Sequence, residues 1–155
     1  MPHPFVIEEY VRWSDVDAAG IIFYGSYVRF FELAETELFR AAGLPYGTMF
    51  DRLDLYLPRV QVHTEFHYPP RLDDHLKVAA YFGRIGTKSL TMNFDVIHLG
   101  TGKLSAEGHL VLVCTDRGAL KSKPLPRELV QALTPFALPV AEARRQLRLP
   151  APVAR

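Results

Sequence analysis

The chain has 155 residues, of which 48% are hydrophobic and 23% are charged, a length and balance typical of one globular domain with its own core. Its formal net charge of +1 argues against nucleic acid or an anionic membrane as a partner, and no apolar run approaches the ~18 residues that a membrane span needs. The single cysteine, Cys114, cannot form an internal disulfide and the N-terminus lacks a signal-peptide pattern, so we predict a cytoplasmic protein.

The first predicted elements are a strand and a long helix. The strand covers Phe5 to Trp13, which is rich in aromatic and branched residues, and a turn over Ser14–Gly20 follows. Apolar residues then recur at intervals of three and four, which predicts a helix from Ser26 to about Ala42. Gly43 is expected to end it. Because aromatic residues lie on more than one side of this helix, we expect other elements to surround it.

Four consecutive strands are predicted after the helix. In the first, Val60, Val62, Thr64 and Phe66 alternate with Arg59, Gln61, His63, Glu65 and His67, so the two sets should face opposite sides of a sheet. The next strands centre on 76–82, 90–96 and 104–114, with a hairpin turn at 100–102. A short helix is predicted from Arg127 to Leu133.

This order of elements predicts an α+β architecture, in which one antiparallel sheet covers one long apolar helix. We predict a single domain over residues 1–155, with a core of about 5–135 and a C-terminal tail of 136–155.

The segment from Trp13 to Tyr27 carries most of the functional information. Asp15 and Asp17 lie in a turn that leads to the helix start, where free N–H groups and the helix dipole stabilise negative charge. If Asp17 lies beside the N–H groups near Tyr24, one site holds a nucleophile and an oxyanion-binding group, the two parts that thioester hydrolysis needs. Asp residues in turns also bond their own backbone, so spacing alone leaves a structural role open.

The same segment resembles a known family. The pattern Asp-x-Asp-Ala-x-Gly-Ile-Ile-Phe-Tyr-x-x-Tyr, at Asp15 to Tyr27, is similar to the 4-hydroxybenzoyl-CoA thioesterase family of hotdog proteins. Weaker similarity continues at 30–32, 37–40, 84–89, 113–116 and 123–126, so it covers about residues 5–135. The resemblance implies a hotdog fold, in which a curved five-stranded antiparallel sheet wraps around one long central helix, and acyl-CoA thioesterase activity.

Roles for individual residues also come from this resemblance. It implies that Asp17 is the catalytic carboxylate, as nucleophile or as general base towards water, and that the backbone N–H of Tyr24 polarises the thioester carbonyl. Some relatives have His at the Tyr24 position, so that side chain is expected to affect acyl preference. No cofactor is required, because coenzyme A enters as part of the substrate. Its phosphates call for basic residues, and the candidates are Arg84, Lys88, Lys121 and Lys123.

Several alternatives stay open at this stage. His63, Glu65 and His67 share one strand face and could hold an adventitious zinc ion, although a polar outer face without metal is the favoured interpretation. A hotdog dehydratase or hydratase, or a non-catalytic acyl-CoA-binding protein, is the alternative function. The acyl group is undetermined, and four aromatic residues could line its pocket: Phe23, Tyr24, Tyr27 and Phe50.

The predicted assembly is a homodimer in which each active site uses both chains. A five-stranded sheet has an edge, and an exposed edge strand favours pairing with another chain. We further predict that two dimers form a homotetramer.

Overall fold

A five-stranded antiparallel sheet forms the centre of the protein in the computed structural model, which describes residues 1–153. The strand order is β1-β3-β4-β5-β2. The strands are β1 (Phe5–Tyr10), β2 (Arg59–Phe66), β3 (His75–Ile85), β4 (Ser89–His98) and β5 (Leu104–Val113). The predicted α+β architecture is therefore confirmed, with β1 and β2 at the two edges. The first strand ends before its predicted limit, because Trp13–Asp15 forms a 3-10 turn.

The long helix α1 (Ser26–Ala41) lies against one face of this sheet, close to its predicted bounds. The ring of Phe31 stacks on Phe94 of β4 with 4.5 Å between centroids. An added Cβ at Gly108 of β5 would lie 2.9 Å from the Phe31 ring, so only glycine allows this close approach of helix and strand. Val28 and Glu32, on the opposite side of α1, remain exposed in the single chain.

Three shorter α-helices also lie within residues 1–153. The helix α3 (Arg127–Leu133) has its predicted bounds, whereas α2 (Tyr46–Leu53) lies in a region for which no helix was predicted. The segment treated as a C-terminal tail contains α4 (Val140–Gln146), which packs on the outer face of the sheet, opposite α1. Its Arg144 is buried and forms ion pairs with Asp95 of β4, at 3.1 Å, and with Glu107 of β5, at 3.0 Å.

The edge strand β2 is exposed on both faces. Val62 and Phe66 point to the α1 side as predicted, but 56% and 54% of their surface remains accessible, and Val60 is 63% exposed. The prediction that Arg59 faces the opposite side is wrong. The register shifts between Arg59 and Gln61, and such a bulge changes the side to which a strand residue points, so Arg59 contacts Glu35 of α1.

No helix within residues 1–153 is long and apolar enough to cross a membrane.

Candidate active site

Asp15 fixes the loop before α1. Its side chain is only 2% exposed and accepts hydrogen bonds from the backbone N–H of Arg12, at 2.7 Å, and from Arg29 Nε, at 2.8 Å. Its backbone oxygen accepts bonds from the N–H of Phe23, at 2.6 Å, and from Ser26 Oγ, at 3.0 Å. With both its carboxylate and its carbonyl engaged, Asp15 joins the loop to the start of α1 rather than presenting a reactive group.

Asp17, two residues later, is exposed. Its Oδ1 accepts a hydrogen bond from the Ala19 N–H at 2.8 Å, and its own N–H donates to the Ile21 carbonyl at 3.0 Å. Gly20 has a φ of +76°, a left-handed conformation that suits glycine in this tight turn. No Lys, Arg or His in the described part of the chain forms an ion pair with Asp17, and no donor among these residues bonds its second carboxylate oxygen.

The residues just before α1 provide backbone donors. Across residues 1–153, no atom accepts a hydrogen bond from the N–H of Tyr24 or of Gly25. Free N–H groups at the positive end of a helix dipole attract negative charge. These two N–H groups are therefore suited to bind a carbonyl oxygen that becomes negatively charged.

Asp17 and Tyr24 line one hollow of about 290 Å³, which we call the Asp17 hollow. Its remaining lining residues are Ile21, Ile22, Tyr27, Phe66, His67, Tyr68 and Pro69. The rings of Tyr27 and Phe66 lie 5.2 Å apart at one side, and burial raises the pKa of Tyr27 to about 12, so its hydroxyl is uncharged at neutral pH. The Ile22 N–H donates to the Pro70 carbonyl at 2.9 Å, which ties the two walls together.

The fold agrees with the comparisons to known proteins. The model of the family described as the thioesterase-like superfamily matches residues 11–133. The chain belongs to this superfamily. The acyl-CoA thioester hydrolase YbgC of Escherichia coli O6:H1 is 29% identical over 121 residues, which are 77% of this chain and 88% of the relative. The 1,4-dihydroxy-2-naphthoyl-CoA hydrolase of Acaryochloris marina is 24% identical over 129 residues, 83% of this chain and 94% of the relative.

A solved structure supports the same fold. Slr0204, a 1,4-dihydroxy-2-naphthoyl-CoA thioesterase from Synechocystis, superposes with a TM-score of 0.78 at 21% identity, over 84% of this chain and 96% of that one. The predicted resemblance to hotdog thioesterases and the predicted fold are confirmed, and so is membership of a family of thioester hydrolases.

In this superfamily member, the basic residues predicted to bind coenzyme A lie far from Asp17 within one chain. The Asp17 loop is attached at the His75 end of β3, because Ile21 pairs with Arg71. Arg84 and Lys88 lie at the Ile85 end, and the 10 residue steps of β3 span about 33 Å. The Cys114 N–H donates to the Lys88 carbonyl and the Cys114 carbonyl accepts from the Lys123 N–H, which places Lys123, and Lys121 nearby, at the same distant end.

A second hollow, of about 460 Å³, opens between α1 and β2. Phe31, Phe50 and Val62 contribute apolar surface to it. Glu35 and Arg59 line its polar end, where they form an ion pair. The two hollows thus divide the predicted aromatic lining: Tyr24 and Tyr27 belong to the Asp17 hollow, Phe50 to the second, and Phe23 to neither.

The Glu35–Arg59 pair includes a third residue. The Tyr46 hydroxyl donates to Glu35 Oε1 at 3.1 Å and accepts from Arg59 Nη2 at 3.1 Å. Burial raises the pKa of Glu35, while the Arg59 charge opposes that shift.

The three candidate metal ligands, His63 and Glu65 of β2 and the following His67, do not form a metal-binding group. The His63 ring stacks on His109 at 5.2 Å, and His67 Nε2 lies 2.9 Å from Glu107 Oε2. Within the residues that the structure describes, no group of three or more His, Cys, Asp or Glu side chains could hold a metal ion.

The sequence did not reveal the contacts that two arginines make near the site. Arg29 contacts Asp15 from 14 positions away, and nothing in local spacing shows that contact. Arg59 was assigned to the wrong face because a bulge leaves no mark in an alternating pattern.

Proposed function

We propose that the protein is an acyl-CoA thioesterase that uses Asp17 and the N–H groups at the start of α1. The observation that carries this proposal is the shared hollow, which is lined by the exposed Asp17 and by Tyr24, whose backbone N–H has no acceptor among residues 1–153. Membership of the thioesterase-like superfamily supports it.

The chemistry follows from these two parts. The thioester carbonyl oxygen accepts hydrogen bonds from the N–H groups of Tyr24 and Gly25, which stabilise the negative charge that forms on it. Asp17 either attacks the carbonyl carbon itself or removes a proton from the water that does so. In both routes the carbon–sulfur bond breaks and coenzyme A leaves as the thiolate. If water attacks, the free acid forms directly. If Asp17 attacks, an acyl–Asp17 anhydride forms, and water then cleaves it to the free acid and the Asp17 carboxylate.

The test is a thiol-release assay with short, long and aromatic acyl-CoAs. Asp17→Asn should keep the fold and lower kcat about 10²–10⁴-fold, because an amide is neither a nucleophile nor a base. Asp51→Asn, the same change on the exposed surface of α2, is the control and should leave kcat unchanged. Near-native turnover by Asp17→Asn would show that another group performs the reaction.

A homodimer completes this proposed site. Within one chain, Arg84 and Lys88 lie near the Ile85 end of β3, and the strand runs about 33 Å from there to its Asp17 end. Pairing of two β2 edge strands about a two-fold axis would make one continuous sheet, with the Ile85 end of β3 of one subunit at the same edge of that sheet as the Asp17 end of the other. The exposed Val60 and Val62 of β2 give this edge an apolar surface. Coenzyme A would then contact basic residues of the partner subunit. A further pairing of dimers into a homotetramer is a separate part of the proposal.

A dehydratase or hydratase would use a His–carboxylate pair, and His67 with Glu107 is such a pair at the rim of the hollow. Glu107 points to the outer face of the sheet, where Arg144 of α4 holds it, while Tyr27 lies on the α1 side. This placement favours hydrolysis, and an absence of water addition to enoyl-CoA would support that choice.

A further inference from the structure

We propose that Arg59 of one subunit contacts the acyl group in the active site of the other and donates hydrogen bonds to an uncharged oxygen on it. The inference rests on the proposed thioesterase function and on the proposed β2 pairing. Arg59 belongs to the second hollow and takes no part in the reaction described above, and the inference assigns it a role in binding the acyl group.

The position of Arg59 follows from the length of the edge strand. β2 runs from Arg59 to Phe66, and two copies related by a two-fold axis must pair antiparallel. The bulge between Arg59 and Gln61 puts two residues opposite one. A pairing in which His63 lies opposite its own copy therefore puts Arg59 and Val60 together opposite the last residue of the other strand. Arg59 then lies beside the partner's Phe66, and Phe66 lines the Asp17 hollow.

The contacts of Arg59 keep its guanidinium in place. Nη1 donates to the Leu57 carbonyl at 2.9 Å, and Nη2 donates to Glu35 and to the Tyr46 hydroxyl. The group lies on the Tyr46 ring, 5.8 Å from its centroid. An arginine held in this way loses little side-chain freedom when it binds a ligand.

The same contacts indicate which ligand Arg59 would bind. A guanidinium has five N–H donors, and three are used in these bonds. The Nε–H and one Nη1–H have no acceptor among residues 1–153. Because Glu35 already neutralises the charge, the free donors suit a hydroxyl or carbonyl oxygen better than a second carboxylate. The substrate class is therefore an apolar acyl group with an uncharged oxygen substituent.

Mixed dimers test whether Arg59 acts across the interface. Arg59→Met alone would leave Glu35 buried without its partner, so the variant is Glu35→Gln with Arg59→Met. Two differently tagged chains, one carrying Asp17→Asn and the other this double change, are co-expressed and the heterodimer is purified through both tags. If Arg59 acts in trans, one of the two sites is intact and the heterodimer should have about half of the wild-type activity.

Each other outcome has a defined meaning. If Arg59 acts within its own chain, both sites are damaged and the heterodimer is no more active than the double-variant homodimer, which overturns the proposal. The proposal is also overturned if the double-variant homodimer has wild-type activity, or if the two tagged chains form no heterodimer. Wild-type protein that hydrolyses no acyl-CoA would instead overturn the proposed function.

A substrate comparison tests the bound oxygen. The ratio of kcat/KM for 4-hydroxybenzoyl-CoA to that for benzoyl-CoA should fall about 3- to 10-fold in the double variant, the size expected for one hydrogen bond. The control is Glu128→Gln with Arg52→Met, which removes an exposed ion pair between α3 and α2 and should leave the ratio unchanged. An unchanged ratio in the Glu35/Arg59 variant would refute the acyl contact.

Discussion

Arg29 and Asp15 form a fork-shaped ion pair that joins the first turn of α1 to the loop carrying Asp17. Arg29 Nε donates to Asp15 Oδ1 at 2.8 Å and Nη2 contacts Oδ2. The loop therefore cannot move relative to the N–H groups of Tyr24 and Gly25 without breaking this pair. The position of the proposed nucleophile or base depends on a carboxylate that takes no part in the chemistry.

Asp15→Asn is expected to lower kcat about tenfold and to change KM less, because small displacements of a reacting group reduce the rate more than binding. Asp95→Asn is the matched control, since Asp95 is equally buried and arginine-bound but lies on the outer face of the sheet. Both variants should lose some thermal stability, and only Asp15→Asn should lose turnover. Equal turnover in the two variants at matched stability would mean that Asp15 supports folding alone.

Arg84→Ala and Lys88→Ala are each expected to raise KM for acyl-CoA about tenfold or more, the effect of losing one charge-assisted hydrogen bond. A thioester that lacks the nucleotide should be hydrolysed by the variants as well as by the wild type. The comparison of KM for the two substrates is the measurement. Equal effects on both would indicate that these basic residues maintain the structure of the loop.

Sedimentation velocity at micromolar concentration should show a dimer or a multiple of it. Val62→Lys should shift the protein towards monomer and reduce activity, because it places a charge in the proposed strand pairing. Val6→Lys makes the same change on β1, at the opposite edge of the sheet, and should leave the sedimentation profile unchanged. An active wild-type monomer would refute the composite site.

The pH dependence of stability should change in Glu35→Gln. Burial raises the pKa of Glu35 above 4.5, so the folded protein retains this proton to higher pH than the unfolded chain. Its contribution to stability is therefore complete below pH 4.5 and is lost as the pH rises through the folded pKa.

Because glutamine does not titrate, the Glu35→Gln variant does not lose this stability as the pH rises. The Tm of the variant minus that of the wild type should be larger at about pH 7 than at about pH 4. Glu37→Gln, at an exposed position of the same helix, is the control for the removal of a carboxylate from α1. If the Tm of Glu35→Gln minus that of the wild type decreased from the lower to the higher pH, the result would contradict the raised pKa.

Several elements could be predicted because their signals are local. The apolar spacing of α1 and the alternation of β3 to β5 appear within short windows, and the Asp15–Tyr27 pattern identified the loop. The helix α2 was missed because it has only 8 residues and follows a Gly-Leu-Pro stop. Arg59 and Arg144 depend on a bulge and on a contact 49 positions away, at Asp95, which no local pattern records.

The helix α4 lies outside residues 11–133, the part of the chain that the family model matches. A recombinant protein trimmed to that match would lose Arg144, and the Asp95 carboxylate, whose pKa burial already raises, would keep only the Tyr81 hydroxyl as a partner at 2.8 Å. The buried faces of Leu138 and Ala143 would disappear as well, exposing the Tyr81 side of the sheet. Domain limits taken from sequence similarity would thus yield an aggregation-prone protein, and the limits for expression should follow α4.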